Sequence, residues 1–398
     1  MHEHSKVLWF GGALGAALLP FAAPLLSPVY GLIALALAVV FTGRFVWQPK
    51  MIAVFVAFIA WEIASVFWSP FPKQGWGDVV MVLPIALMGL LLGIFKVERG
   101  TSLVRDWMEI FALSTVLSWS IIFFSSIMEH GFVHYKSFEL GGRLGVHFQS
   151  MYLVIAALIL ERRIWSGSKT QGVVRGLAVL WLLFGVVTLS ARIHLIVVPV
   201  LIVLRFGELI WTLKEHRKNL TVLAVSVVVI MGVLVVALPG PRGRLVDLRN
   251  EVRSMDRKVD GKQTNHRIFI WKYGVEIGQE QPWVGSGNGA TEDLLHEKLK
   301  TCTATFYRGT TPYYLHEFKY DAHNIWLQSW TEGGVIAVVL LAMLLGLGVY
   351  WSSGVLRYGW ILMALSGTTE SVLEKQAGVF MLAFLIALTL VAGKKKLV

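Results

Sequence analysis

Long apolar runs separated by short polar breaks occupy most of the chain. Runs of about 18–22 residues suit helices that cross a hydrocarbon layer roughly 30 Å thick. Twelve such stretches are read near residues 7–26, 29–47, 51–68, 79–95, 107–127, 147–161, 173–190, 193–210, 220–238, 323–350, 355–369 and 376–392. The pattern predicts an all-α polytopic membrane protein with about twelve transmembrane helices. One stretch breaks it. From Pro239 to Asp321 polar, charged and aromatic residues replace the apolar runs. The expected organisation is therefore helices 1–9 over residues 1–238, a large and mainly helical loop domain over 239–321, and helices 10–12 with a basic tail over 322–398.

Composition agrees with this reading. Hydrophobic residues make up 56% of the 398 positions and charged residues only 15%, where soluble domains carry about a quarter. Met1 to Lys6 leads directly into an apolar segment without a small-residue cleavage site, so an uncleaved first helix is expected. Lysines and arginines then set the orientation. One set of alternate loops holds Arg44, Lys50, Lys96, Arg99, Arg105, Arg162, Arg163, Lys169, Arg175, Arg205, Lys214, Arg217, Lys218 and the tail Lys394-Lys395-Lys396. The opposite short loops hold only Lys73, Lys136, Arg143, Arg192 and Lys375. Both termini are expected in the cytoplasm and the large loop outside. The net charge of +11 mostly reflects this bias, so it is no argument for nucleic acid. Cys302 stands alone and cannot form an intrachain disulfide or a four-ligand zinc site. No bound metal and no cofactor are expected.

Within the loop, Leu245, Leu248, Val252, Met255 and Val259 recur every three or four positions among Arg244, Asp247, Arg249, Arg253, Asp256 and Arg257. That spacing predicts an amphipathic helix over 243–259, lying on the bilayer or packing on the loop's own core. A second helix is expected from about Arg267, with Ile268, Trp271 and Val275 on one face. It ends at Pro282-Trp-Val-Gly-Ser-Gly-Asn-Gly289. Gly285, Gly287 and Gly289 there make either a tight structural turn or a cradle of backbone N–H groups for an anion. Aromatic residues crowd Phe306 to Tyr320, a composition that suits a membrane interface or a sugar groove.

Charged residues at the expected membrane surface complete the candidates. Arg192 and His194 lie in Ser190-Ala-Arg-Ile-His, which joins two apolar spans almost without a loop. Arginine there either snorkels or has a partner, and its planar fork of donors fits phosphate oxygens. Arg267, following His266, reaches the same place if the loop folds over the helix mouths. Two arginines on one diphosphate would stabilise its charge as it leaves. His323 opens the expected tenth span, and histidine is the usual general base near neutral pH. Glu62, inside an apolar span, is either functional or paired with an arginine.

In order, Arg192, His266-Arg267-Ile-Phe-Ile-Trp271, Pro282 to Gly289, His323-Asn-Ile-Trp-Leu-Gln-Ser-Trp-Thr-Glu-Gly-Gly334 and a final loop with Glu370 and Glu374 resemble the O-antigen ligase and polymerase superfamily of bacterial inner-membrane glycosyltransferases. The likeness covers roughly the C-terminal half; the N-terminal half matches in topology. It implies a GT-C-like membrane architecture. It also implies transfer of a polysaccharide from undecaprenyl diphosphate, on the periplasmic side and without nucleotide sugar or metal. Arg192 and Arg267 match the family's diphosphate-binding arginines, and His323 the histidine that activates the acceptor hydroxyl for inverting attack. Length, span number and the ending at Lys394-Lys395-Lys396 resemble lipopolysaccharide O-antigen ligases most, whose acceptor is lipid A–core. Alternatives are an O-antigen polymerase or a protein O-oligosaccharyltransferase of the same superfamily. A flippase or transporter of lipid-linked oligosaccharide is disfavoured, because the notable charges gather at the outer edge rather than at the bilayer midplane.

Overall fold

The computed structural model describes residues 3–21, 27–45, 49–96, 100–131, 140–142, 144–164, 168–212, 217–255, 262–263, 266–302, 305–308 and 311–392. Fifteen α-helices dominate the described residues. Twelve of them fall on the twelve apolar stretches. They are α1 (Glu3–Leu18), α2 (Ser27–Thr42), α3 (Pro49–Val66), α4 (Pro72–Ile94), α5 (Gly100–His130), α6 (Val146–Arg163), α7 (Lys169–Leu189), α8 (Arg192–Thr212), α9 (Arg217–Ala237), α13 (Ile325–Trp351), α14 (Val355–Ser366) and α15 (Gln376–Ala392). Six of these, α4, α5, α7, α8, α9 and α13, are long and apolar enough to cross a membrane. Five more are shorter apolar helices. Helix α6 is in neither class, because Glu161, Arg162 and Arg163 crowd its last turn. A multi-pass membrane protein follows from the six; the full count of twelve crossings is an expectation from sequence.

The chain forms two compact units, one from 1–11, 32–101 and 247–398, the other from 12–31 and 102–246. In the second unit α7 begins with a capping box. The Ser168 hydroxyl accepts from the Gln171 N–H, and the Gln171 side chain accepts from the Ser168 N–H, which satisfies two donors that a helix start would otherwise leave open. At the far end Ser190 takes a left-handed φ of 58°, so the chain turns at Ser190-Ala191 directly into α8. Gly185 of α7 lets Leu153 and Trp119 approach its backbone closely, and Trp119, Phe123, Trp181 and Phe184 pack around that contact. Partly buried charges elsewhere in this unit are paired: Glu109 with Arg163 and Arg175, and Arg205 with Glu161 and the exposed Glu208.

In the first unit α3, α4, α13 and α15 pack together. From residue 266 on, the loop rests on α13 and has a core of its own. Its helices are α10 (Pro239–Met255), α11 (His266–Glu280) and α12 (Thr291–Leu299). The amphipathic helix expected over 243–259 is α10, and residues 256–261 lie outside those described, as does the tail 393–398. The buried face of α11 is Ile270, Gly274, Ile277 and Gly278, not Ile268, Trp271 and Val275. Gly274 and Gly278 have no side chain to hold α13 away, so Leu327 and Trp330 close directly onto them. A small sheet, not anticipated from the sequence, accompanies the helices of this mainly helical loop. Strand β1 (Lys262–Gln263) pairs parallel with β2 (Thr305–Arg308), which pairs antiparallel with β3 (Thr311–Tyr313). Phe306, wholly buried, joins Leu299, Cys302 and Leu315 under Phe269, Tyr273, Tyr313 and Tyr320. Much of the aromatic run is therefore the loop's core rather than a membrane belt, although Tyr314 and Phe318 remain exposed.

Helix α13 is broken, where the sequence predicts one continuous span. Gly334 has φ 66° and ψ −167°, outside what a residue with a Cβ adopts readily. The break frees carbonyls that a straight helix would use. Ser286 N–H donates to the Thr331 carbonyl at 2.8 Å and Gly287 N–H to the Glu332 carbonyl at 2.8 Å, while Val335 N–H donates to the Pro282 carbonyl at 2.9 Å. Trp61 of α3 donates its indole N–H to the Gly333 carbonyl at 2.9 Å. The glycine-rich turn and the Thr-Glu-Gly-Gly break thus satisfy each other's backbone. Gly287 at φ 96° lies against the Ser69 backbone, where any Cβ would collide. Gly287→Ala is expected to destabilise the protein by about 2–4 kcal/mol from backbone strain and overlap. Gly346→Ala, facing open space on α13, should be neutral or stabilising by up to ~1 kcal/mol. Denaturation midpoints in detergent check the pair, and equal midpoints would remove the packing argument.

Candidate functional site

The segment Asp321-Ala-His-Asn324 is pinned from three sides. Trp271 of α11 donates its indole N–H to the Ala322 carbonyl at 3.0 Å. Asn324 N–H donates to the Ser371 hydroxyl at 3.2 Å and Ile325 N–H to the Gly367 carbonyl at 2.8 Å. Asn324, not His323, caps α13, its side-chain oxygen accepting from the N–H groups of Trp326 and Leu327. His323 therefore precedes the helix it was expected to open. Its φ of 46° is left-handed, a conformation costing a non-glycine residue about 1–2 kcal/mol. The Asp321 carboxylate supports it by accepting the His323 N–H at 2.8 Å.

The imidazole then meets two carboxylates. His323 Nδ1 lies 3.2 Å from Asp321 Oδ1 and 3.2 Å from Glu370 Oε1. The other Glu370 oxygen accepts from Arg267 Nη2 at 3.2 Å, and Arg267 Nη1 donates to the Thr369 carbonyl at 2.8 Å. Lys375 closes the group, with Nζ 2.9 Å from Asp321 Oδ2. Burial alone would raise the Asp321 pKa, but the neighbouring His323 and Lys375 charges, with the hydrogen bonds from Lys375 and the His323 N–H, hold it below the ordinary carboxylate value. Tyr320 and His266 border the group, their rings 5.6 Å apart and each within 6.4 Å of the His323 ring. Arg267, His266 and His323 are thus brought together by packing α11 against the start of α13.

Asp321, His323 and Glu370 also place one potential metal-ligand atom each within 4.8 Å of one another. The positions 321, 323 and 370 carry no recognisable ligand spacing in sequence. Here Arg267 and Lys375 already neutralise the two carboxylates, which is the charge balance of an ion-paired site rather than of a cation cage.

The other candidates divide. Arg192 is the first residue of α8, in the second unit, and is half-buried. A cation at a helix N-terminus works against the macrodipole, and both then favour an anion. His194 is fully buried there, its ring 4.7 Å from that of His147. Gly285 and Gly287 give their N–H groups to the carbonyls of Gln281 and Glu332, and Gly289 packs against the α4 backbone at Gly75. The turn is structural, with those donors spent inside the protein. Among the described residues Glu62 pairs with no arginine; its Oε2 accepts from Asn288 Nδ2 at 2.8 Å. Sequence reasoning did not single out Asp78 and Glu332, acids inside apolar helices that join Glu62 and Glu374 around one small cavity. An ionisable residue in an apolar run is the signal that would have found them. Burial first, then the charges of Glu332 and Asp78, push the Glu374 carboxyl well above its ordinary value.

Residues 177–342 match the family model described as O-antigen ligase. That interval contains Arg192, Arg267 and His323. No curated protein sequence matches the chain.

Proposed function

From the match of residues 177–342 to the O-antigen ligase family model, we propose that the chain belongs to that superfamily and transfers O-antigen polysaccharide from undecaprenyl diphosphate to a sugar hydroxyl of lipid A–core. The reaction takes place on the periplasmic side of the bacterial inner membrane, with both termini in the cytoplasm. The observation that carries this reading is the chain of contacts Arg267–Glu370–His323–Asp321. It joins a phosphate-type cation to a histidine held by carboxylates.

Both carboxylate contacts are to Nδ1. Donation of Nδ1–H to Glu370 leaves Nε2 as the acceptor, the tautomer a general base needs. In the proposed step the acceptor hydroxyl oxygen attacks the anomeric carbon of the donor sugar and its proton passes to Nε2. The carbon–oxygen bond to the diphosphate breaks with inversion, and undecaprenyl diphosphate leaves with the electron pair. Arg267 stabilises the charge it gains, and transfer also requires Arg192. Glu370 then competes with the donor for the Arg267 guanidinium, so diphosphate binding is expected to loosen the Arg267–Glu370 pair. Neither nucleotide nor metal takes part in this chemistry.

The test is direct. Purified protein is incubated with undecaprenyl-diphosphate O-antigen and lipid A–core, without nucleotide or added metal, and products are resolved on a gel. A ladder of slower lipopolysaccharide, lost in Arg192→Ala, is the expected result. Elongation of the lipid-linked donor instead would assign a polymerase. Neither product from folded protein would turn attention to transport of the lipid-linked chain.

A further inference from the structure

Four carboxylates surround one small cavity in the first unit. Glu62 on α3, Asp78 on α4, Glu332 on α13 and Glu374 line a space of about 20 Å³ with Asn288 and Gln328, and no lysine, arginine or histidine is among its lining residues. Two of the acids are tied to amides: Glu62 accepts from Asn288 at 2.8 Å, and Glu332 accepts from Gln328 at 2.7 Å. Asn288 is 1% exposed, and its side-chain oxygen has no hydrogen-bond partner among the described residues. With Nδ2 committed to Glu62, that oxygen adds an unmet acceptor to a cavity already lined by acceptors. A buried acceptor left unmet is costly, and native structures seldom leave one unexplained. The two amide donors lining the cavity are already committed to Glu62 and Glu332, so a cation would meet the remaining acceptors together.

We propose that this cavity is a calcium site which fastens the glycine-rich turn to α3, α4 and α13. The charged and amide groups lining it offer oxygen donors without thiol or imidazole, the set of a hard cation. Its volume admits about one water-sized occupant. Magnesium keeps several of its waters and fits such a space poorly, whereas calcium accepts six to eight protein oxygens in irregular geometry. Sodium would offset one negative charge among four acids. The acids ring the cavity rather than meet at a point. Among the described residues no three of these acids bring their oxygens within 4.8 Å of one another, so two carboxylates, the Asn288 oxygen and neighbouring hydroxyls form the expected shell. Asn288 is the one lining residue that belongs to the turn. An ion there ties the loop domain to transmembrane helices, apart from the transfer chemistry at His323.

Full-length protein in detergent, washed with EGTA, is titrated with calcium chloride by calorimetry and followed by hydrogen exchange. Saturable binding of one ion and slower exchange over residues 282–290 are expected. Asn288→Ala and Asp78→Asn should each weaken binding by about tenfold or more, while His323→Ala binds as the unaltered protein does. No saturable binding, or an equal response to sodium at matched ionic strength, overturns the proposal. So does binding that His323→Ala abolishes and Asp78→Asn preserves, since the ion would then sit on Asp321, His323 and Glu370. Should both cavity variants fail to fold, exchange over 282–290 in the unaltered protein decides, and rates indifferent to calcium overturn the site.

Discussion

Arg267→Ala is expected to lower polysaccharide transfer by about 10²–10³-fold, the usual loss when one preorganised donor to developing charge is removed. The fold should survive. The guanidinium is partly exposed, and its pair with Glu370 contributes on the order of 1 kcal/mol. Lysine in its place should restore little. A single ammonium cannot reproduce two N–H groups directed separately at the Thr369 carbonyl and the Glu370 carboxylate, nor grip a diphosphate through a planar fork. Initial rates at saturating acceptor, read beside the unfolding midpoint, separate chemistry from stability. Full activity in folded Arg267→Ala protein would remove the guanidinium from the site.

His323→Ala should slow transfer by about 10²–10⁴-fold, the range for a positioned general base, with binding of the lipid-linked donor retained. The carboxylates make a sharper test than the histidine alone. Glu370→Gln keeps an oxygen for Nδ1–H while discarding the charge that stabilises imidazolium as it forms, so it should cost less than His323→Ala. It also releases Arg267 from its ion pair, so donor affinity should not fall. Single-turnover rates and donor binding are measured on the same preparations. Donor binding lost in His323→Ala with the chemical step unchanged would make His323 a binding residue.

Several site residues were legible because their types are conspicuous against an apolar background. Arg192, Arg267 and His323 are polar interruptions where helices begin, and the family pattern orders them. Glu370 was visible only as part of a final loop. Its place between Arg267 and His323 depends on contacts spanning 103 and 47 residues. His323 was misplaced by two positions at the helix start, because Asn324 and His323 are both plausible caps until the side-chain oxygen is seen on the N–H groups of Trp326 and Leu327. The aromatic run suits an interface or a sugar groove by composition, which cannot tell which rings face inward. A three-stranded sheet only two to four residues wide per strand leaves too short a pattern to detect.

By itself the sequence determined the helices, since apolar runs of membrane-crossing length leave the backbone little choice but to bond within itself. It also determined where that regime stops, between Pro239 and Asp321. Tertiary structure decided what those helices bring together. It broke α13 at Gly334 and used the freed carbonyls to hold a turn some fifty residues earlier. It also set Asn288 against Glu62, 226 residues away. Helical periodicity is a local property, repeating every 3.6 residues, so it fixes each element and which side of it is apolar. Which polar groups meet across elements depends on close packing between segments far apart in the chain. At Gly287 and Gly334 that packing rests on the absence of a single carbon atom.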